Sequence, residues 1–130
     1  MDQPFIPDDI VQFVIDKVDS VAELEALLLL RSHPDHRWTP QELSKRLYLS
    51  DKDGFEILVA LSTKGLALYK ASGSGCYEYR PGLVEVAQLV DRLCDIYSKQ
   101  IVAITHLIHS KSKTKVQKFA DAFNLRKKDE

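Results

Sequence analysis

A chain of 130 residues, 45% hydrophobic and 28% charged, is long enough for one hydrophobic core and too short for two. No uninterrupted apolar run exceeds five residues, against about 20 for a helical membrane span, so no membrane partner is expected. The acidic start MDQPFIPDD lacks the basic region and apolar stretch of a secretory signal. Cys76 and Cys94 have no CxxC spacing, so reduced thiols and a cytoplasmic location are expected.

The formal net charge of −1 conceals an asymmetry. Residues 1–30 carry seven acids and one base, residues 31–109 ten bases and nine acids, and residues 110–130 seven bases and three acids. Such a basic end is expected either to touch phosphates or to pack with the acidic end across a subunit boundary.

No internal repeat or low-complexity segment appears. Pro7-Asp8-Asp9 before Ile10, Val11, Phe13, Val14, Ile15 and Val18 predicts a helix with acids in its first turn, where the helix dipole favours them. Ser20 and Glu23 form an S-x-x-E capping box ahead of Leu24, Leu27, Leu28 and Leu30, predicting a second helix that stops near Ser32. The run Trp38-Thr39-Pro40-Gln41-Glu42-Leu43 offers Thr39 as N-cap, Pro40 at the first helical position and Glu42 at the third, with Trp38 and Leu43 as a hydrophobic staple. In this third helix Leu43, Leu47 and Tyr48 are expected inward, and Lys45 and Arg46 outward. Ser50 caps a fourth helix in which Phe55, Leu58, Val59, Leu61 and Ser62 follow at helical spacing and Gly65 is the stop. Gly54 within it is unfavourable by about 1 kcal/mol against Ala, which points to a close backbone approach or to relief of crowding.

Two β-prone runs, Leu66-Ala67-Leu68-Tyr69-Lys70 and Cys76-Tyr77-Glu78-Tyr79-Arg80, flank a Gly/Ser loop, the pattern of a hairpin. From Leu83 the period changes. Leu83, Val90, Tyr97 and Ile104 recur every seven residues, and Ala87, Cys94, Ile101 and Ile108 fall four positions after each. That 3.5-residue seam predicts one helix from 83 to 109, about 40 Å long at 1.5 Å per residue. So small a domain cannot cover it, so a second copy is expected on Leu83, Val90, Tyr97, Ile101, Ile104 and Ile108. Lys111, Lys113 and Lys115 then precede a short amphipathic helix bearing Val116, Phe119, Ala120, Ala122, Phe123 and Leu125.

Candidate reactive groups are few. His33-x-x-His36 and His106-x-x-His109 fall short of the three or four ligands of a zinc site. Cys76 and Cys94 read as small buried apolar side chains. No Gly-rich phosphate loop, nucleophile elbow or defined carboxylate pair occurs. Neither an enzyme, a cofactor nor a metal is expected.

Helix, helix, short turn, helix, hairpin is the order of a winged helix-turn-helix. On the run TPQELSKRLYLS, the next helix with Leu58 and Leu61, and KGLALYKASGSGCYEYR as the wing, residues 20–80 resemble the winged-helix domain of bacterial transcriptional regulators of the MarR and ArsR type. The ending Phe119-Ala120-Asp121-Ala122-Phe123-Asn124-Leu125-Arg126 is similar to that of small bacterial winged-helix proteins. The resemblance implies a mainly α, single-domain chain. It has an N-terminal helix over 1–19, a winged helix-turn-helix with a two-stranded β-wing over 20–80, and long C-terminal dimerisation helices over 81–130. It also implies a homodimeric DNA-binding regulator whose helix 51–64 enters the major groove of double-stranded DNA and whose loop 71–75 reaches a minor groove or the backbone.

The charges modify that expectation. Residues 50–65 hold three acids (Asp51, Asp53, Glu56) against two bases (Lys52, Lys64), and the wing loop Ser72-Gly73-Ser74-Gly75 has no base. Phosphate contacts are therefore expected from Lys45, Arg46, Lys52, Lys70 and Arg80, with help from Lys111, Lys113 and Lys115. The rival expectation is a winged-helix interaction module with little or no DNA binding, whose Asp51, Asp53 and Glu56 bind a basic protein partner. Asp51 and Asp53 also have a plainer reading as first-turn acids, worth about 0.3–1 kcal/mol each to the helix.

Overall fold

The structure, a computed structural model, describes residues 5–71, 73 and 75–111. In chain order it runs α1 (Asp8–Lys17), α2 (Val21–Ser32), α3 (Pro40–Leu47), α4 (Asp51–Thr63), β1 (Ala67–Lys70), β2 (Cys76–Tyr79) and α5 (Val84–Lys99). A further helix, α6, covers 101–111. The amphipathic segment expected over 116–125 lies outside the described residues. No helix among the described residues is long and apolar enough to cross a membrane.

The helix starts are made as their cap residues predict. Ser20 Oγ accepts from the Glu23 N–H at 3.0 Å, Thr39 Oγ1 from the Glu42 N–H at 3.1 Å, and Ser50 Oγ from the Asp53 N–H at 3.1 Å. Each such cap contributes about 1 kcal/mol. The reciprocal arm of the first two caps goes elsewhere: the Glu23 carboxylate pairs with Lys64, and Glu42 Oε2 lies 2.8 Å from His36 Nε2.

One core joins α1 (Ile10, Val14), α2 (Leu24, Leu27, Leu30), α3 (Leu43), α4 (Leu58, Leu61) and α5 (Val90, Leu93), all buried. A fully buried leucine such as Leu58 contributes about 2 kcal/mol by removal from water. The wing is antiparallel, with Ala67 opposite Tyr79 and Lys70 opposite Cys76. Trp38 and Tyr77 exchange backbone hydrogen bonds of 2.7 and 2.8 Å. Trp38 is thus a one-residue third strand that ties the wing to the entry of α3, and it is buried in the same core as Leu43.

Three expectations are corrected. Tyr48 does not point inward: it is 96% exposed and adopts the left-handed conformation (φ 58°) that ends α3. On α4 the buried face is Gly54, Leu58 and Leu61, while Phe55 is 50% exposed and Val59 is also exposed. The apolar residues of α4 are more numerous than one face can bury, so i, i+3, i+4 spacing admits two stripes and packing against α3 selects one.

The third correction concerns the seam. The chain from 83 to 109 is not one helix but breaks at Gln100 (φ −136°, ψ 53°), whose N–H closes onto Ile96 O at 2.8 Å and whose side-chain amide donates to Phe5 O at 3.1 Å. The break re-aims α6, so that Ile104 and Ile108 enter the core of their own chain, as does Val90. Tyr97 is half-buried, and its hydroxyl donates to Glu25 Oε1 at 2.7 Å. Burial and that bond push the Tyr97 hydroxyl up to about 12. Of the six residues expected at a dimer interface, only Leu83 and Ile101 are largely exposed.

Candidate nucleic-acid interface

The helix-turn-helix depends on a close crossing of α3 and α4. Ser44 Oγ of α3 lies 2.7 Å from Pro40 O and 2.9 Å from Ser50 O, so its one proton serves two carbonyls. The Leu49 N–H returns to Ser44 O at 2.9 Å and closes the turn. Opposite stands Gly54. A Cβ built there would lie 2.0 Å from Ser44 Oγ and 2.9 Å from Pro40 O, inside any real carbon contact. Of the two readings left open for Gly54, close approach is the one observed.

That crossing sets which side of α4 looks out. At about 100° per residue, the face away from Leu58 and Leu61 carries Lys52, Phe55, Glu56, Val59 and Thr63, all exposed. It presents one cation, one carboxylate, one hydroxyl and the apolar pair Phe55 and Val59. Asp51 and Asp53 are exposed in the first turn, as helix-start residues would be. A face of this kind has few groups able to read base edges: Lys can serve guanine, Glu can accept from the cytosine amino group, and apolar atoms can meet the thymine methyl.

More positive charge gathers at the base of the wing. Glu78 is only 7% exposed, and three cations surround its carboxylate: Arg80 Nη2 at 2.9 Å, Lys70 Nζ at 3.7 Å and Arg37 Nε at 4.0 Å. One carboxylate holds three bases, leaving two net positive charges on side chains that remain partly or largely exposed. Lys70 and Arg80 were nominated by the sequence; Arg37 was not. Its place follows from the Trp38–Tyr77 pairing, which sets residue 37 beside the strand that bears Glu78, and no spacing along the chain signals that. Lys45 and Arg46 are exposed on α3, as expected, and the Arg46 guanidinium lies 5.7 Å from the Trp38 ring centre. His36 stacks edge-on against the same ring at 4.5 Å.

Lys111 takes a different role from the one expected of it. Its side chain is 8% exposed, and Nζ donates to Val18 O at 2.8 Å and Asp19 Oδ1 at 2.9 Å. The other oxygen of Asp19 accepts from Lys64 Nζ at 2.9 Å, and Lys64 also donates to Lys17 O at 3.0 Å and to Glu23. One carboxylate therefore joins the end of α4 to the end of α6. These hydrogen bonds hold the Asp19 carboxyl well below the usual range, whereas burial pushes that of Glu23 up against the pull of Lys64. Burial also works against the Lys64 charge, but its two carboxylate partners outweigh it and raise the ammonium pKa. With Val14 O at 3.5 Å as its third acceptor, the Lys111 ammonium has no donor left to offer a phosphate. Lys113 and Lys115 lie outside the described residues.

Other candidate chemistry stays thin. No group of three or more His, Cys, Asp or Glu able to hold a metal ion occurs among the described residues. Cys76 is buried and Cys94 half-buried, both free thiols; Cys94 Sγ accepts from Arg31 Nη1 at 3.5 Å.

No protein-family model matches the chain, and no curated protein does. Solved structures do. A mutant of Escherichia coli MarR is similar over 97% of this chain and 98% of its own, with a TM-score of 0.51 at 16% identity. A mutant of Staphylococcus aureus MepR bound to an oligodeoxyribonucleotide is similar over 88% of this chain and 90% of its own, with a TM-score of 0.50 at 13% identity. A MarR family protein from Bacillus stearothermophilus covers 93% of this chain and 81% of its own, at a TM-score of 0.48 and 13% identity. At such identities a likeness carries architecture alone. The chain has the mainly helical winged-helix fold of the E. coli MarR and S. aureus MepR structures, N-terminal and C-terminal helices included.

Proposed function

We propose that this protein is a homodimeric transcriptional regulator that binds duplex DNA through its helix-turn-helix and wing. The observation that carries this reading is the cluster of Arg37, Lys70 and Arg80 about Glu78, on the same winged helix that exposes Lys45, Arg46 and Lys52. Six exposed or half-exposed cations on one winged helix suit phosphate contacts on either side of a groove entered by α4. The MepR structure of like fold is bound to an oligodeoxyribonucleotide, which supports the same class of ligand here. The dimer rests on exposed apolar side chains that flank the Gln100 break and open α5: Ile101 at 53%, Val102 at 72%, Leu83 and Val84. Such exposure is the mark of an interface rather than of a solvated helix. A soluble cytoplasmic regulator of this class is neither an enzyme nor dependent on a cofactor.

Fluorescence anisotropy with a random-sequence duplex tests the reading. Binding at micromolar protein in about 50 mM salt is expected, weakening log-linearly with salt as counterions are released. Absence of binding under those conditions overturns it. The observation that favours a second reading is the exposed surface of α4, which carries Asp51 and Asp53 in the first turn, then Phe55 and Glu56, and follows the exposed Tyr48. In that reading the face binds a basic protein partner, and the triple substitution Asp51→Ala/Asp53→Ala/Glu56→Ala abolishes capture of that partner.

A further inference from the structure

We propose that residues 112–130 of this chain dock in cis into the groove between α2 and α4, and that their bases cover the acids on the flank of α4. The groove has a volume of about 400 Å³. Its floor is apolar and half-buried, formed by Ala22, Leu49, Ile57 and Ala60, and the exposed Asp53 and Glu56 stand at its rim. It is a mixed surface, apolar below and anionic above. Its natural complement is an amphipathic segment with cations beside its apolar stripe.

The chain carries such a segment and delivers it to this place. Val116, Phe119, Ala120 and Phe123 stand at i, i+3, i+4 and i+7, the anchor spacing of a helix laid in a groove. Lys115 and Lys118 adjoin the stripe, and residues 112–130 hold six bases against three acids. The last described residue, Lys111, grips Asp19 at 2.9 Å, and the next residue, Ser20, already lines the groove. From Lys111, the residue that precedes this segment, the edge of the groove is therefore about one side chain away. A tether that short supplies an effective concentration on the order of millimolar, enough to populate a contact too weak to form between separate molecules.

The placement also accounts for the acids on a helix positioned to meet a polyanion. Covered by Lys115 and Lys118, Asp53 and Glu56 present no net repulsion along that flank. The docking itself does not depend on DNA being the ligand, so it can fail while the DNA reading stands.

Carbodiimide cross-linking of the full-length protein tests it. The reagent activates a carboxylate as an O-acylisourea, a neighbouring lysine amine displaces it to form an amide, and the urea leaves. The expected products join Asp53 or Glu56 to Lys113, Lys115 or Lys118, read by mass spectrometry. Mixing isotope-labelled with unlabelled protein should show both ends on the same chain. The exposed Lys99–Asp95 pair on α5, at 3.2 Å and outside the groove, supplies an internal control. Phe119→Ser/Phe123→Ser should lower the tail products about ten-fold, since aromatic anchors carry most of the energy of such contacts, and leave the control unchanged. About 0.5 M salt should lower them as well. Formation of the control product without the tail products overturns the proposal. Tail products that join only labelled to unlabelled chains overturn it too, by placing the segment on a second copy.

Discussion

Gly54→Ala isolates the contact on which the helix-turn-helix is built. Two effects oppose each other. In a helix interior, Ala is favoured over Gly by about 1 kcal/mol. Against that, the new methyl would lie 2.0 Å from Ser44 Oγ, 3.2 Å from Ser44 Cβ and 2.9 Å from Pro40 O. Serine is too short to swing clear while keeping its bonds to Pro40 O and Ser50 O, and the Pro40 carbonyl is fixed in the first turn of α3. Overpacking of this kind costs about 1–3 kcal/mol, and loss of the Ser44 hydrogen bonding adds about 1 kcal/mol. The variant should therefore be less stable by about 1–3 kcal/mol net, read as a lower urea midpoint by circular dichroism with an unchanged m-value. Ser44→Gly is itself destabilising, but Ser44→Gly/Gly54→Ala should be more stable than the sum of the single changes by about 1 kcal/mol or more, since it removes the clash with residue 44. A Gly54→Ala protein as stable as the parent would refute the reasoning, because helix propensity would then outweigh the contact.

The remaining predictions concern charge, assembly and binding. Asp19→Asn should lower stability at pH 7 by about 1–2 kcal/mol, a modest figure because half of that carboxylate is exposed and screened. The folded-state pKa of Asp19 lies below its unfolded value, so its contribution is fully present above about pH 4 and is lost as pH falls from there through the folded-state value. The gap between parent and variant in urea midpoint should accordingly be smaller at pH 3 than at pH 7. Ile101→Asp/Val102→Asp should leave the fold intact, since both side chains are exposed, and convert a dimer to a monomer in light scattering; a parent that is monomeric at tens of micromolar contradicts the proposed assembly. Arg37→Ala should weaken DNA binding similarly across sequences and reduce the salt slope by about 1, as loss of one phosphate contact does. An unchanged slope would remove Arg37 from the interface.

Sequence alone was enough to locate the start of α2, α3 and α4, because Ser20, Thr39 and Ser50 act on N–H groups three residues away. The hairpin was legible for the same reason: it depends on neighbours in the chain. Lys45 and Arg46 were placed outward correctly, since polarity and helical period determine which side of a helix meets water. The Arg37–Glu78 approach was not legible, as it depends on a strand pairing across about 40 residues of chain.

What tertiary structure alone decided is the fate of groups with more than one possible partner. A 3.5-residue repeat in Val90, Ile104 and Ile108 records that a surface is covered, without naming what covers it. The break at Gln100 turned that repeat toward the chain's own core and left Ile101 and Val102 outside. Lys111 shared the composition of a phosphate-binding tail, yet Asp19 and two backbone carbonyls claimed it. Local sequence determined where the elements begin because caps and turns are short-range. Burial and ion pairing answered to the whole molecule, since they depend on which distant groups the packed fold brings within a few ångströms.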